Sequence, residues 1–90
     1  MGSTSSQLKD YRNQVKTRFA AHLKQVREAK GLTGTELARR AVLDRGNYYR
    51  LEGGKVNPSL SMLVRLAAAL EMSLEEFLEG LVIEVDLNRL

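Results

Sequence analysis

The stretch Thr33 to Gly54, TGTELARRAVLDRGNYYRLEGG, constrains the fold more than any other part of the chain, because it fixes where two short helices start and how they are joined. Glu36 follows Thr33 by three residues. The Thr33 hydroxyl can therefore accept the Glu36 N–H while the Glu36 carboxylate returns to the Thr33 N–H, which makes a complete capping box. Leu32 and Leu37 flank it as a hydrophobic staple and set the direction of chain entry. The helix that follows has Leu37, Ala38 and Ala41 as its inner stripe and leaves Arg39 and Arg40 outside. The chain then turns at Val42 and Leu43, and Asp44 is placed to cap a second helix.

At 100° per residue that second helix points Tyr48 and Leu51 one way and Arg45, Gly46, Tyr49 and Arg50 the other. The first pair suits a core. The outward set suits a nucleic-acid groove, since guanidinium groups can fork onto guanine O6 and N7 or onto phosphates. A solvated charged face is the norm on surface helices, so the rest of the chain has to support the sharper interpretation. Gly46 lowers helix propensity by about 1 kcal/mol relative to Ala in an interior position, and by less this near an end.

Ninety residues make one domain with a single modest core. With no Cys and a single His the sequence offers no disulfide, thiolate nucleophile or zinc site, and it fits a reducing cytoplasm. No apolar run approaches the roughly 20 residues that span a bilayer, so no membrane partner is expected. The net charge of +3 is unevenly distributed: residues 1–70 hold 13 Lys and Arg against 5 Asp and Glu, and residues 71–90 hold 1 against 6. The body of the domain is suited to a polyanion, and its acidic end is suited to staying away from one.

Residues 1–7 are small and polar at their start and are expected to form a disordered tail. From Leu8 an apolar series of Leu8, Tyr11, Val15, Phe19, Leu23 and Val26 predicts a helix that Gly31 ends. Residues 8–18 form an N-terminal helical extension, which folds either on this domain or on a second chain, and residues 19–80 form the domain proper. His22 lies off the apolar stripe with no second ligand in register and is expected at the surface. GGKVNPS is a loop by composition. Ser59 caps a core helix over 60–70, and Met72, Ser73, Glu76 and Phe77 repeat the staple and capping box ahead of a last helix that Gly80 ends. In residues 81–90, Ile83, Val85 and Leu87 alternate with polar neighbours, the period of a strand that needs a partner and so a candidate for dimerisation. A helical extension through Leu78, Leu81, Val82 and Val85 is the alternative.

Four segments in order, VREAKGLTGTELA, the capped turn and helix ending YYRLEGG, NPSLSMLVRLAAAL and MSLEEFL, resemble the lambda-repressor-like helix-turn-helix domains, the XRE family, from about Phe19 to Leu78. The resemblance implies an all-α fold of five helices whose third lies in the major groove. It implies base-facing roles for Arg45, Gly46, Tyr49 and Arg50 with Asn47 alongside. By the same resemblance Thr33, Gly34, Thr35, Gly53, Lys55 and Asn57 fall where the family contacts phosphates. Arg27 and Glu52 fall where many members carry a structural ion pair. Gly34 departs from the family's usual Gln, and Glu71 replaces its usual Gly. Val42 also replaces a Gly, and a β-branched residue avoids positive φ, so a reshaped turn is expected.

The implied function is a bacterial or phage-type transcriptional regulator that binds double-stranded DNA as a homodimer on a palindromic operator. The alternative is a protein-interaction module or antitoxin-like adaptor that keeps the fold without reading DNA. An enzyme is disfavoured, since the chain lacks a His pair, a phosphate-cradling glycine motif and paired acids outside capping positions. No cofactor, metal or small-molecule substrate is indicated.

Overall fold

The structure, a computed structural model, describes residues 3–84 and the side chains of residues 10–84. Its helices are α1 (Ser3–Ala29), α2 (Gly34–Arg40), α3 (Arg45–Glu52), α4 (Leu60–Ala69) and α5 (Leu74–Leu78). Both capping boxes form, Thr33 with Glu36 and Ser73 with Glu76, and Asp44 and Ser59 cap α3 and α4 by accepting the N–H of Asn47 and Met62. Local chemistry thus sets every helix start after the first.

The ends of the helices share one device. At the close of α1, α2, α3 and α4 a residue of positive φ reverses the chain, and the next N–H returns to a carbonyl five residues back: Leu32 to Arg27, Leu43 to Ala38, Lys55 to Arg50 and Met72 to Ala67. Gly31 and Gly54 take that conformation freely at φ 71° and 73°. Val42 and Glu71 take it at φ 54° and 58°, against a steric cost of about 1–2 kcal/mol each for an L side chain. The turn between α2 and α3 is therefore not reshaped as the valine suggested. Arg65 of α4 accounts for this in part: its Nε donates to the Ala41 carbonyl at 3.0 Å, and its Nη2 donates to the Val42 carbonyl.

Phe19, Leu23, Leu37, Tyr48, Leu51, Leu66, Leu70 and Phe77 form the centre of the core, with Phe19 and Phe77 meeting edge to face at 5.9 Å. Every helix contributes to this cluster. Along the apolar stripe of α1, Tyr11 stays 39% exposed and Val15 and Val26 are half-buried, so only Phe19 and Leu23 enter the core fully.

Two further expectations change. His22 is buried, its Nε2 hydrogen-bonded to the Phe77 carbonyl and its ring beside that of Phe77. The carbonyl lies in the last turn of α5, where it lacks a helical partner, so the histidine satisfies a group that burial would otherwise strand. The start of α1 also differs: the helix begins at Ser3 rather than after a disordered tail, and of residues 1–7 only Met1 and Gly2 lie outside the described residues. No Pro or Gly interrupts residues 3–8, and extending an existing helix costs little per residue. Leu81 to Glu84 form neither strand nor helix, and the remainder of the proposed strand lies outside the described residues.

Candidate nucleic-acid interface

The third helix is anchored on its inner face by Tyr48 and Leu51, both fully buried. Its C-terminal end is held by a cluster centred on Glu52. Arg27 grips that carboxylate with two parallel contacts, Nε to Oε2 at 3.0 Å and Nη2 to Oε1 at 2.6 Å, while its Nη1 donates to the Leu32 carbonyl at 2.8 Å. The Tyr48 hydroxyl donates to Glu52 Oε2. One arginine thereby joins α1, the loop before α2 and the end of α3. The pair is mostly but not wholly covered, its side chains keeping 14% and 12% of their exposure.

The charges of the cluster follow from these contacts. Burial disfavours the ionised form of Glu52, but hydrogen bonds from Arg27 and Tyr48 outweigh it and hold the carboxyl below its usual range. The hydrogen bond to Glu52 raises Arg27, and burial together with that carboxylate pushes the Tyr48 phenol upward. At neutral pH the three groups are a cation, an anion and a neutral donor that complete one another.

On the outward side Arg45, Gly46, Asn47, Tyr49 and Arg50 are all exposed. A Cβ on Gly46 would meet only the Asp44 carboxylate, at 3.2 Å, so the helix backbone is bare there toward solvent. Tyr49 is less free than its neighbours. Its hydroxyl shares a hydrogen bond with Thr35 Oγ1 at 2.9 Å, its ring meets that of Tyr48 edge to face at 5.6 Å, and the Arg45 guanidinium lies 5.9 Å from its centroid.

The positions flanking α3 divide into two kinds. Thr33 and Thr35 are exposed, as are Gly53, Lys55 and Asn57 in and after the last turn of α3. The Thr33 hydroxyl is already engaged with the Glu36 N–H at 3.1 Å. Gly34 is buried, and a Cβ there would come within 3.0 Å of the Tyr48 ring and 3.1 Å of the Tyr49 ring. Its visible role is to let both tyrosines close on the first turn of α2. Sequence reasoning missed Arg65, whose two hydrogen bonds hold the turn between α2 and α3; the available signal was a lone cation in the otherwise uncharged α4.

Set against known proteins, the family described as a helix-turn-helix domain matches residues 18–79, more than two thirds of the chain. The chain belongs to that family. Among solved structures it is similar to the restriction-modification controller protein C.AhdI from Aeromonas hydrophila, at 35% identity and TM-score 0.65, covering 69% of this chain and 94% of that one. It is also similar to a hypothetical transcription factor, NHTF, from Neisseria, at 27% identity and TM-score 0.64, covering 83% and 80%. No curated protein sequence matches. Within the family frame α2 and α3 are the two helices of the motif, and the turn that Arg65 holds is the turn that names it.

Proposed function

We propose that this protein is a transcriptional regulator that binds double-stranded operator DNA by laying α3 in the major groove. The observation that carries the proposal is the division of α3 itself. Its inner side is fixed by Tyr48, Leu51 and the Arg27–Glu52 pair, and its outer side offers Arg45, Asn47 and Arg50 around a bare backbone at Gly46. A rigid cationic helix with a low point allows close approach to base edges, and arginine is the side chain best matched to guanine there. Thr33, Thr35, Gly53, Lys55 and Asn57 flank that helix and are the proposed phosphate contacts, while Gly34 contributes by packing. The likeness to a restriction-modification controller and a transcription factor supports the same assignment.

One such domain reads few base pairs. A homodimer would place two copies of α3 about 34 Å apart, one turn of B-DNA, on a palindromic site. Selecting bound sequences from a random duplex pool tests both parts. The expected result is a two-fold symmetric motif with half-sites one turn apart. An enriched pool without symmetry would remove the dimer, and no enrichment at low salt would remove the DNA-binding assignment in favour of a protein-interaction role.

A further inference from the structure

Among the outward residues of α3, Tyr49 differs from the others in having its polar atom already spoken for. Its hydroxyl is engaged with Thr35 Oγ1 at 2.9 Å, so the group that would read a base instead ties α3 to the first turn of α2. The ring is fixed as well, by its edge-to-face contact with the Tyr48 ring and by the close approach to Gly34, where the absent Cβ leaves the space it needs. A tyrosine held at three points presents a face of fixed orientation. The Arg45 guanidinium lies 5.9 Å from the centre of that face, within the range at which a cation is attracted to an aromatic ring.

Building on the DNA-binding assignment above, we infer that Tyr49 is a positioning residue: braced by Thr35, it holds the Arg45 guanidinium in the orientation that discriminates among bases. The physical basis is the freedom of an exposed arginine, whose long side chain loses much rotamer entropy when it is fixed. An aromatic shelf that restricts it in advance lowers that loss on binding, and the gain falls on contacts that need one geometry. Bidentate base recognition needs one geometry, and phosphate attraction tolerates many. The shelf therefore acts on discrimination more than on general affinity. Among the described residues the arginine so placed over an aromatic ring is Arg45, not Arg50.

The test measures binding to the selected duplex and to a random duplex at two salt concentrations, for the wild type and for Tyr49→Phe, Thr35→Val, Thr35→Ser and Arg45→Ala. Tyr49→Phe keeps the ring and removes only the brace. It is expected to lower the ratio of selected to random affinity about three- to tenfold, the scale of one hydrogen bond, with random-duplex binding and its salt dependence unchanged. Thr35→Val should lower the ratio by the same factor, beside an even loss on both duplexes from its phosphate contact; the double variant Tyr49→Phe with Thr35→Val should show a ratio no lower than either, and Thr35→Ser should restore discrimination. In an Arg45→Ala background, Tyr49→Phe should have no further effect on the ratio.

Full discrimination by Tyr49→Phe overturns the inference. So does an undiminished loss in the Arg45→Ala background, which would make Tyr49 a direct reader, and so does an even loss on all duplexes by Thr35→Val with Tyr49→Phe silent, which would make Thr35 a phosphate contact alone. A wild type that binds no duplex at low salt overturns the DNA-binding assignment itself, and this inference with it. That failure is seen before any variant is made.

Discussion

Replacing Val42 by glycine should make the protein more stable, although it deletes an apolar side chain. Val42 holds φ at 54°, and for a β-branched residue the cost lies near the upper end of about 1–2 kcal/mol. Two terms oppose the gain. Glycine has more freedom to lose on folding, about 0.4–1 kcal/mol. The lost side chain is 78% exposed, so about a fifth of a valine's burial is forfeited, roughly 0.3–0.5 kcal/mol. The balance is a gain of about 0.5–1 kcal/mol, or a rise in Tm of roughly 2–8 °C for a domain of this size. Thermal unfolding followed by circular dichroism at 222 nm measures it, with Val42→Ala as the control that retains a Cβ and with it most of the penalty. Arg65→Ala should cost about 1–2 kcal/mol by releasing the Ala41 and Val42 carbonyls, and should cost less in the Val42→Gly background, where the turn forms without help. If Val42→Gly melts no higher than Val42→Ala, backbone strain at this turn is not what the geometry implies.

Three further outcomes are expected. Arg27→Ala should destabilise by about 3 kcal/mol, the low end for a buried pair because both partners keep some exposure, and Arg27→Lys should recover only part of that loss for want of the two parallel contacts; urea titration checks both. Backbone N–H groups at the caps hold Glu36 and Glu76 below the usual carboxylate value of 4.5, as the cluster holds Glu52. The folded state thus binds fewer protons than the unfolded one, so this stability is complete well above pH 4.5, begins to be lost near that value and is lost further as pH falls through the lowered folded-state values; urea midpoints at pH 7, 4.5 and 3 should fall in that order, and less steeply in Glu52→Gln. Arg45→Ala or Arg50→Ala should weaken the selected duplex by about 1–3 kcal/mol, whereas Lys55→Ala should weaken all duplexes evenly and reduce the salt slope by about one, as fluorescence anisotropy would record.

The sequence carried whatever its neighbours within one helical turn decide. The capping boxes at Thr33 and Ser73 and the inward and outward split of Tyr48 and Tyr49 each depend on a spacing of four residues or fewer, and each is present as read. What the sequence hid depends on partners far along the chain. The stripe of α1 taken alone puts His22 at the surface, whereas its partner carbonyl sits 55 residues away on a helix that packs over the flank of α1. By its own preference Val42 avoids positive φ, while Arg65, 23 residues on, holds the turn in place. The bond between Thr35 and Tyr49 escaped for the same reason, since nothing local to either residue announces the other. The candidate site is thus legible as a set of exposed residue types, but not as an arrangement in which one of them is already restrained.

Gly34 has a consequence for anyone who would retarget this domain. Grafting a foreign reading helix onto the scaffold is usually treated as an exchange of outward side chains alone, yet here the floor beneath the graft was cut to fit two aromatic rings. A donor helix without those rings would leave a hollow against the first turn of α2, and a scaffold with alanine at 34 would press on both native rings, which would have to give by a few tenths of an ångström. Positions 34, 48 and 49 therefore have to be exchanged together, as one unit of inheritance.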